Sequence, residues 1–284
     1  MKRSLGKTLK RNWRGIVGAV LFVAVVIIVA AAPLIAPHDP LQQSLENNFR
    51  APSLTPADDG NIYPLGTDQL GRDVLSRLIY GGRVSLTVGI AAVVIAGLLG
   101  VTLGLVSGYF GGWVDSVIMR LADIQLAVPS ILLAIVMVAV MGPSLVNIVL
   151  VLAITGWVQY ARVVRSNVLT IKEMEYIDAA RCIGVSNMRM LFKHILPNAF
   201  YSVIIIATLQ MARMILMEAS LSFLGLGANI STPTWGNMIG DGRDYITSAS
   251  WLCTIPGLAI VLVIIGINML GDWLRDVLDP KLNF

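Results

Sequence analysis

Residues Ile124–Ala161 read IQLAVPSILLAIVMVAVMGPSLVNIVLVLAITGWVQYA, with no charged side chain between Asp123 and Arg162. One crossing of a hydrocarbon core of about 30 Å takes only about 20 apolar residues, so this run is too long for a single span. Gly142-Pro143-Ser144 stands in its middle and supplies turn residues where a helical hairpin reverses. The run therefore predicts two spans, at about Ile124–Met141 and Leu145–Tyr160.

Working outward, the rest of the chain repeats the pattern. Uncharged apolar runs place span one at Gly15–Ala36 and span two at Val84–Ser107. Span five falls at about Asn198–Gly225, with Arg213 and Glu218 inside it, and span six at about Trp251–Leu270. Ala30-Ala31-Ala32 imitates a leader cleavage site, but the first apolar run is longer than a secretory leader's, so it is read as a span. Of the 284 residues, 56% are hydrophobic and only 13% are charged. A soluble domain carries about 25% charged residues. The expectation is an all-α membrane protein of six transmembrane helices.

Six spans put both termini on one side. Lys2, Arg3, Lys7, Lys10, Arg11 and Arg14, then Arg120, then Arg162, Arg165, Lys172, Arg181, Arg189 and Lys193, then Arg275 and Lys281 all fall on that side. Only Arg50, Arg72, Arg77, Arg83 and Arg243 fall opposite. The positive-inside rule assigns the richer side, with both termini, to the cytoplasm. The net charge of +4 is thereby explained by span orientation, and no nucleic-acid partner is expected. Trp13, Trp113, Trp157, Trp251 and Trp273 lie near proposed span ends, where the headgroup region favours indole. Cys182 and Cys253 give no disulfide framework.

The segment His38–Tyr63 is polar and contains Pro40, Pro52 and Pro56, which reads as an external loop. Beyond it, Thr67 or Asp68 is expected to cap a short helix. That helix shows Leu70, Val74, Leu75, Leu78 and Ile79 on one face and Arg72, Asp73 and Arg77 on the other. It reads either as a helix lying in the interface plane or as an external docking or gating element, with Asp68, Arg72, Asp73 and Trp235 as candidates.

The one large polar island on the cytoplasmic side runs from about Arg162 to Pro197. It contains Asp178-Ala179-Ala180-Arg181-Cys182-Ile183-Gly184 and ends on His194-Ile195-Leu196-Pro197. Gly184 permits a turn that other residues resist. Ser186 can cap a second helix over Asn187–His194, and Pro197 marks a new segment. The prediction is a helix–turn–helix projecting from the membrane, with Ala179 and Ala180 small enough to let another protein approach.

This island resembles the EAA loop of bacterial ABC-importer permeases: Glu-Ala-Ala, three residues, Gly, nine residues, then a hydrophobic-x-Leu-Pro ending. Asp178 stands in place of the usual Glu. Ala179, Ala180, Gly184, Leu196 and Pro197 match, and His194 gives the His-x-Leu-Pro variant of the peptide-importer branch. Five further runs are similar to the "C"-type permeases for dipeptides, oligopeptides and nickel. They are Ala36-Pro37-His38-Asp39-Pro40 with Gly66–Asp73, Glu218–Gly227, Pro233-Thr234-Trp235-Gly236, and Gly271–Pro280.

The resemblance implies a type I ABC-importer permease fold in a bacterial inner membrane. It implies a heterodimer with a second six-span permease, two cytosolic ATPases on the EAA loops, and an extracytoplasmic solute-binding protein. The coupling helix would be about Glu173–Val185. Residues 1–83 would form the amino-terminal segment, first span and external loop. Residues 84–284 would form a five-helix core carrying the coupling loop at about 162–197. The cargo would be small peptides, with nickel or another metal chelate as the alternative.

Other classes are weighed on the residues. A Gly-x-x-x-x-Gly-Lys-Ser/Thr run is absent from the sequence, so the chain has no phosphate-cradling loop of its own. ATP and Mg are expected on partner subunits, and no cofactor or catalytic residue is expected here. His38 and His194 lie on opposite sides of the membrane, so no metal site is expected from them. An ion-driven secondary transporter predicts inverted repeats, and none is visible. A membrane scaffold would carry no ATP-coupled flux. Charged residues inside a span usually face a cavity or a partner, which makes Arg213 and Glu218 translocation-path candidates. Met214 and Met217 join them on proximity, although a methionine stripe is more often adaptable packing.

Overall fold

In a computed structural model of the chain, residues 13–227 and 232–278 are described. The amino-terminal basic cluster Lys2–Arg11 and the tail around Pro280 and Lys281 lie outside them. The helices, in order, are α1 (Trp13–Ala30), α2 (Val74–Phe110), α3 (Gly112–Ala127), α4 (Ser130–Met141) and α5 (Leu145–Ile171). They are followed by α6 (Glu175–Cys182), α7 (Leu196–Phe223), α8 (Trp235–Gly242) and α9 (Trp251–Leu278). Five helices are long and apolar enough to cross a membrane, and α3 with α4 forms a sixth candidate bent by 92°. A helix meets its own backbone hydrogen-bonding needs, which is why it can cross lipid at all.

The expected third span is corrected here. Its helical path starts at Gly112, twelve residues before Ile124, and it is broken at Val128-Pro129. Pro129 has no N–H and disfavours helical backbone at the residue before it. Val128 accordingly is extended, at φ −100° and ψ 129°. The predicted reversal is where expected. Gly142 takes φ 85°, Ser144 caps α5 by accepting from the Asn147 N–H at 3.1 Å, and the Asn147 amide donates to Met141 O at 2.8 Å.

Span two also differs. Asp73, not Thr67 or Asp68, caps the helix by accepting from the Ser76 N–H at 2.8 Å. The helix then runs unbroken through residue 83, so no separate interfacial helix precedes the span. At 37 residues it is about 55 Å long, well beyond the hydrocarbon thickness, and it projects past the core.

α2 and α5 pack along a stripe of glycines. A Cβ on Gly100 would fall 2.3 Å from Trp157 O, and one on Gly104 would fall 2.6 Å from Ala161 O. One on Gly108 would fall 2.8 Å from Val168 Cβ. Small residues at a spacing of four let helix backbones approach closely in lipid. α7 closes this pair from the side, burying Met214, Met217 and Leu221 with Ala96, Val151 and Leu152. α1 lies along α9, where Gly15 meets Trp273 and Gly18 meets Met269. Trp157 is therefore not at a span end. It sits midway along α5, and its indole N–H donates to Gln125 Oε1 at 2.8 Å.

One end of the bundle carries a cap built from residues 36–73 and α8. Phe49 packs against Tyr245 with the rings tilted and their centroids 4.6 Å apart, and the Trp251 indole donates to Thr67 O at 3.2 Å. Trp235 is buried, with its indole N–H on Leu78 O at 2.9 Å. It meets Gly82, where Val29 from the end of α1 also converges. The opposite end carries the polar loop with α6.

Candidate functional site

The polar loop is shorter than expected because α5 continues through Arg162 and Arg165 to Ile171. Both arginines find carboxylates on α3. Arg165 grips Asp115 through Nε and Nη2 at 2.5 and 2.6 Å, and Arg162 meets Asp123 at 2.5 Å. The Ser107 hydroxyl also donates to Asp115. Lys172 Nζ reaches Gly108 O at 3.3 Å, and the Tyr109 hydroxyl meets Asn187 Oδ1 at 2.8 Å. These contacts join the α2–α3 corner to the start and middle of the loop.

The helix expected at about Glu173–Val185 is α6, Glu175–Cys182, shorter at both ends. Ile177 and Ala180 turn inward onto Met190, Leu191 and Ile195 and onto Val164, Val168 and Ile171 of α5. Asp178, Ala179, Cys182, Ile183 and Gly184 face outward. Arg181 meets Asp178 at 3.1 Å on the exposed face, a pairing worth little in stability. The helix ends in a Schellman turn, with Val185 N–H on Ala180 O at 3.1 Å and Gly184 N–H on Arg181 O at 2.9 Å. Gly184 takes φ 78°, and a Cβ there would meet nothing within 4 Å. The glycine is thus required by the backbone and not by crowding.

Ser186 makes no capping bond, and there is no break at Pro197. Asn187–Arg189 is one helical turn that passes into a π turn over Met190–Ile195 and then directly into α7. The Leu196 N–H donates to Leu191 O, five residues back. Pro197, second in α7, has no N–H to offer. The wider π turn lets the helix absorb it. The expected signature residues therefore divide. Asp178, Ala179 and Gly184 form an outward face, Ala180 is buried, and His194 and Leu196 are half-buried where the loop joins the bundle. Pro197 is exposed.

In α7, Met214 and Met217 are buried in the core, and Glu218 is 1% exposed with its Oε1 accepting from the Ser222 hydroxyl at 2.7 Å. All three are packed inside this chain. Arg213 differs. It is half-buried and donates to Ser130 Oγ at 3.0 Å, at the bend between α3 and α4. Among the described residues it makes no ion pair.

At the cap, Asp68, Arg72, Asp73 and Trp235 are all buried, so none is presented for direct docking. Asp68 takes Arg72 Nε at 2.6 Å and Arg77 Nη1 at 3.0 Å. Asp241 of α8 takes Arg77 Nη2 at 3.2 Å and Arg72 Nη2 at 3.5 Å. Asp73 accepts from the Ser76 hydroxyl at 2.6 Å and lies 3.6 Å from His38 Nδ1. Asp241 and the pairing role of Arg77 escaped the sequence reading. More than 160 residues separate Asp241 from these arginines, and no local pattern announces the contact.

The chain belongs to the family of binding-protein-dependent transport system inner membrane components, whose pattern matches residues 100–284. Residues 4–56 match the N-terminal TM domain of oligopeptide transport permease C. The dipeptide transport system permease protein DppC of Alkalihalophilus pseudofirmus is 44% identical over 99% of this chain and 90% of its own. The di/tripeptide transport system permease protein DppC of Pseudomonas aeruginosa is 43% identical over 95% of this chain and 89% of its own. In the inward-facing MetNI methionine ABC transporter, one chain shares the fold, with a TM-score of 0.56 and 21% identity over 72% of this chain and 98% of that one. The resemblance read from the EAA-like island is borne out, and the secondary-transporter and scaffold readings are set aside.

Proposed function

We infer that this chain is one of two permeases forming the path of an ATP-driven importer for di- and oligopeptides, fed by an extracytoplasmic binding protein. The observation that carries the reading is the outward face of Asp178, Ala179 and Gly184 on a short helix fixed to the bundle by Ile177 and Ala180. That is the form a rigid handle for a partner takes. The close relatives named for dipeptide transport support the cargo.

In this reading the polar-loop end and both termini are cytoplasmic, and two ATPases grip the α6 face of each permease. ATP and Mg reside in those subunits. The Asp115–Arg165 and Tyr109–Asn187 contacts carry the handle's movement to the α2–α3 corner. The cap faces outward and meets the binding protein, with Asp68, Arg72, Asp73 and Trp235 fastening it from within. Ligand and nucleotide act by favouring different states of this element through differential affinity.

The test is co-expression with the neighbouring genes, purification in mild detergent, and reconstitution in vesicles. The expected result is co-purification of a second permease and ATPases, with labelled dipeptide uptake that needs ATP and the binding protein. Recovery of this chain alone, without a nucleotide-dependent partner, overturns it. Arg213 is assigned to the path because an ion in a span is expensive unless it faces a cavity or partner. Arg213→Met should assemble normally and lower uptake about tenfold or more, the effect of losing one charge-assisted hydrogen bond worth roughly 1.5–3 kcal/mol. Uptake equal to wild type rules out that role.

A further inference from the structure

A groove of about 510 Å³ opens on the bundle surface between the cap-side halves of α2 and α5. Its walls include Thr87, Ala91 and Ile95 from α2 and Leu145 and Val149 from α5, and Arg83 stands at its cap-side end. The walls offer almost nothing polar. The Thr87 hydroxyl is already committed to Arg83 O at 2.7 Å. No acidic residue lines the groove. The Arg83 side chain is exposed and makes no ion pair among the described residues.

The depth of Arg83 can be read from its neighbours. At Gly82, one residue before it, Val29 near the end of the α1 span and the buried indole of Trp235 converge. α1 stops at Ala30, and α5 begins at Leu145 beside Arg83. Arg83 therefore sits where spans end, at the level of lipid headgroups, and the groove descends from it into the apolar layer. From Arg83 to Ile95 the α2 axis advances about 18 Å. Half of a hydrocarbon core is about 15 Å, so the groove is as deep as one leaflet.

We propose that this groove is a binding site for an acidic phospholipid of the cap-side leaflet. One acyl chain lies between α2 and α5, and the phosphate is held by the Arg83 guanidinium. An apolar slot one leaflet deep under a lone cation matches a lipid chain under an anionic headgroup. Arg83 makes no ion pair among the described residues, so a headgroup with net negative charge is favoured over a zwitterionic one. Apolar burial supplies the chain's affinity, and attraction between a basic side chain and anionic lipid supplies the selectivity. A lipid here would wedge the α2–α5 pair on the cap side, opposite the glycine-tight contact at Gly100 and Gly104.

The experiment is native mass spectrometry of the whole permease complex released from nanodiscs of equal phosphatidylglycerol and phosphatidylethanolamine. Wild type should retain phosphatidylglycerol in preference. Arg83→Gln should abolish the preference, lowering retained phosphatidylglycerol about fivefold. Ala91→Trp fills the groove while leaving the charge, and should lose both lipids. Retention unchanged in either variant overturns the proposal. So does a photo-crosslinker at Thr87 that captures the second permease and no lipid, because the groove is then filled by protein.

Discussion

Gly184→Pro should leave the protein inserted and abolish coupling. The native φ of 78° lies far from proline's fixed angle near −65°. The substitution also deletes the N–H that donates to Arg181 O at 2.9 Å. Both losses fall on the Schellman turn that ends α6, while the site is exposed and its Cβ direction empty. The bundle should therefore keep its melting temperature and the handle should lose its shape. Uptake should fall more than about tenfold, which requires only roughly 1.4 kcal/mol of lost coupling, and ATPase co-purification should weaken. Gly184→Asn is the control, because asparagine tolerates left-handed backbone and should retain most activity. Reversing the charge at Asp178, on the exposed face, should act on docking without touching the turn. Normal transport in Gly184→Pro and in the Asp178 reversal together would remove α6 from the coupling role.

Arg77→Met should produce the largest loss of stability. Arg77 is 3% exposed and its guanidinium serves Asp68 and Asp241 together. Removing one partner of a buried ion cluster typically costs about 3–5 kcal/mol, because charge is left buried without compensation. Among the described residues Asp68 keeps only Arg72 as an ion-pair partner, and α8 loses its ion pair with α2. The melting temperature in lipid nanodiscs should drop, and the segment 38–66 should become a protease target before the spans do. Asp241→Asn should be milder, because Asp241 is more than a third exposed and water can replace part of what it gives. A melting temperature and cleavage pattern equal to wild type in Arg77→Met would show that the cluster does not fasten the cap.

These two sites differ in how far they could be seen in advance. The turn that ends α6 was legible because everything that defines it is local. Asp178, Ala179, Ala180 and Gly184 lie within one short segment, and a glycine after a run of helix formers announces a left-handed stop. Its fine structure was not legible. The reading ended α5 at Tyr160 because charges begin at Arg162, yet Asp115 and Asp123 on α3 neutralise those arginines and the helix continues. Pro197 was read as a boundary, and the π turn over Met190–Ile195 carries the helix through it. The glycine stripe Gly100, Gly104 and Gly108 was in plain view as a spacing of four. Hydropathy alone does not reveal it, because a glycine's value lies in the close approach it allows to another helix.

What the sequence determined by itself is the set of apolar runs, the Gly142–Ser144 reversal, the charge bias between the two ends, and the polar-loop helix with its glycine stop. Each depends on contiguous residues: hydrocarbon thickness sets a length, and backbone sterics set a turn. Only the tertiary structure decided the rest. It decided that α3 and α4 meet at 92°, that Met214, Met217 and Glu218 are interior while Arg213 reaches Ser130, and that Asp68, Arg72, Arg77 and Asp241 form one cluster. The reason is that a buried charge is tolerated only through the partner it finds, and here that partner comes from another helix, distant along the chain.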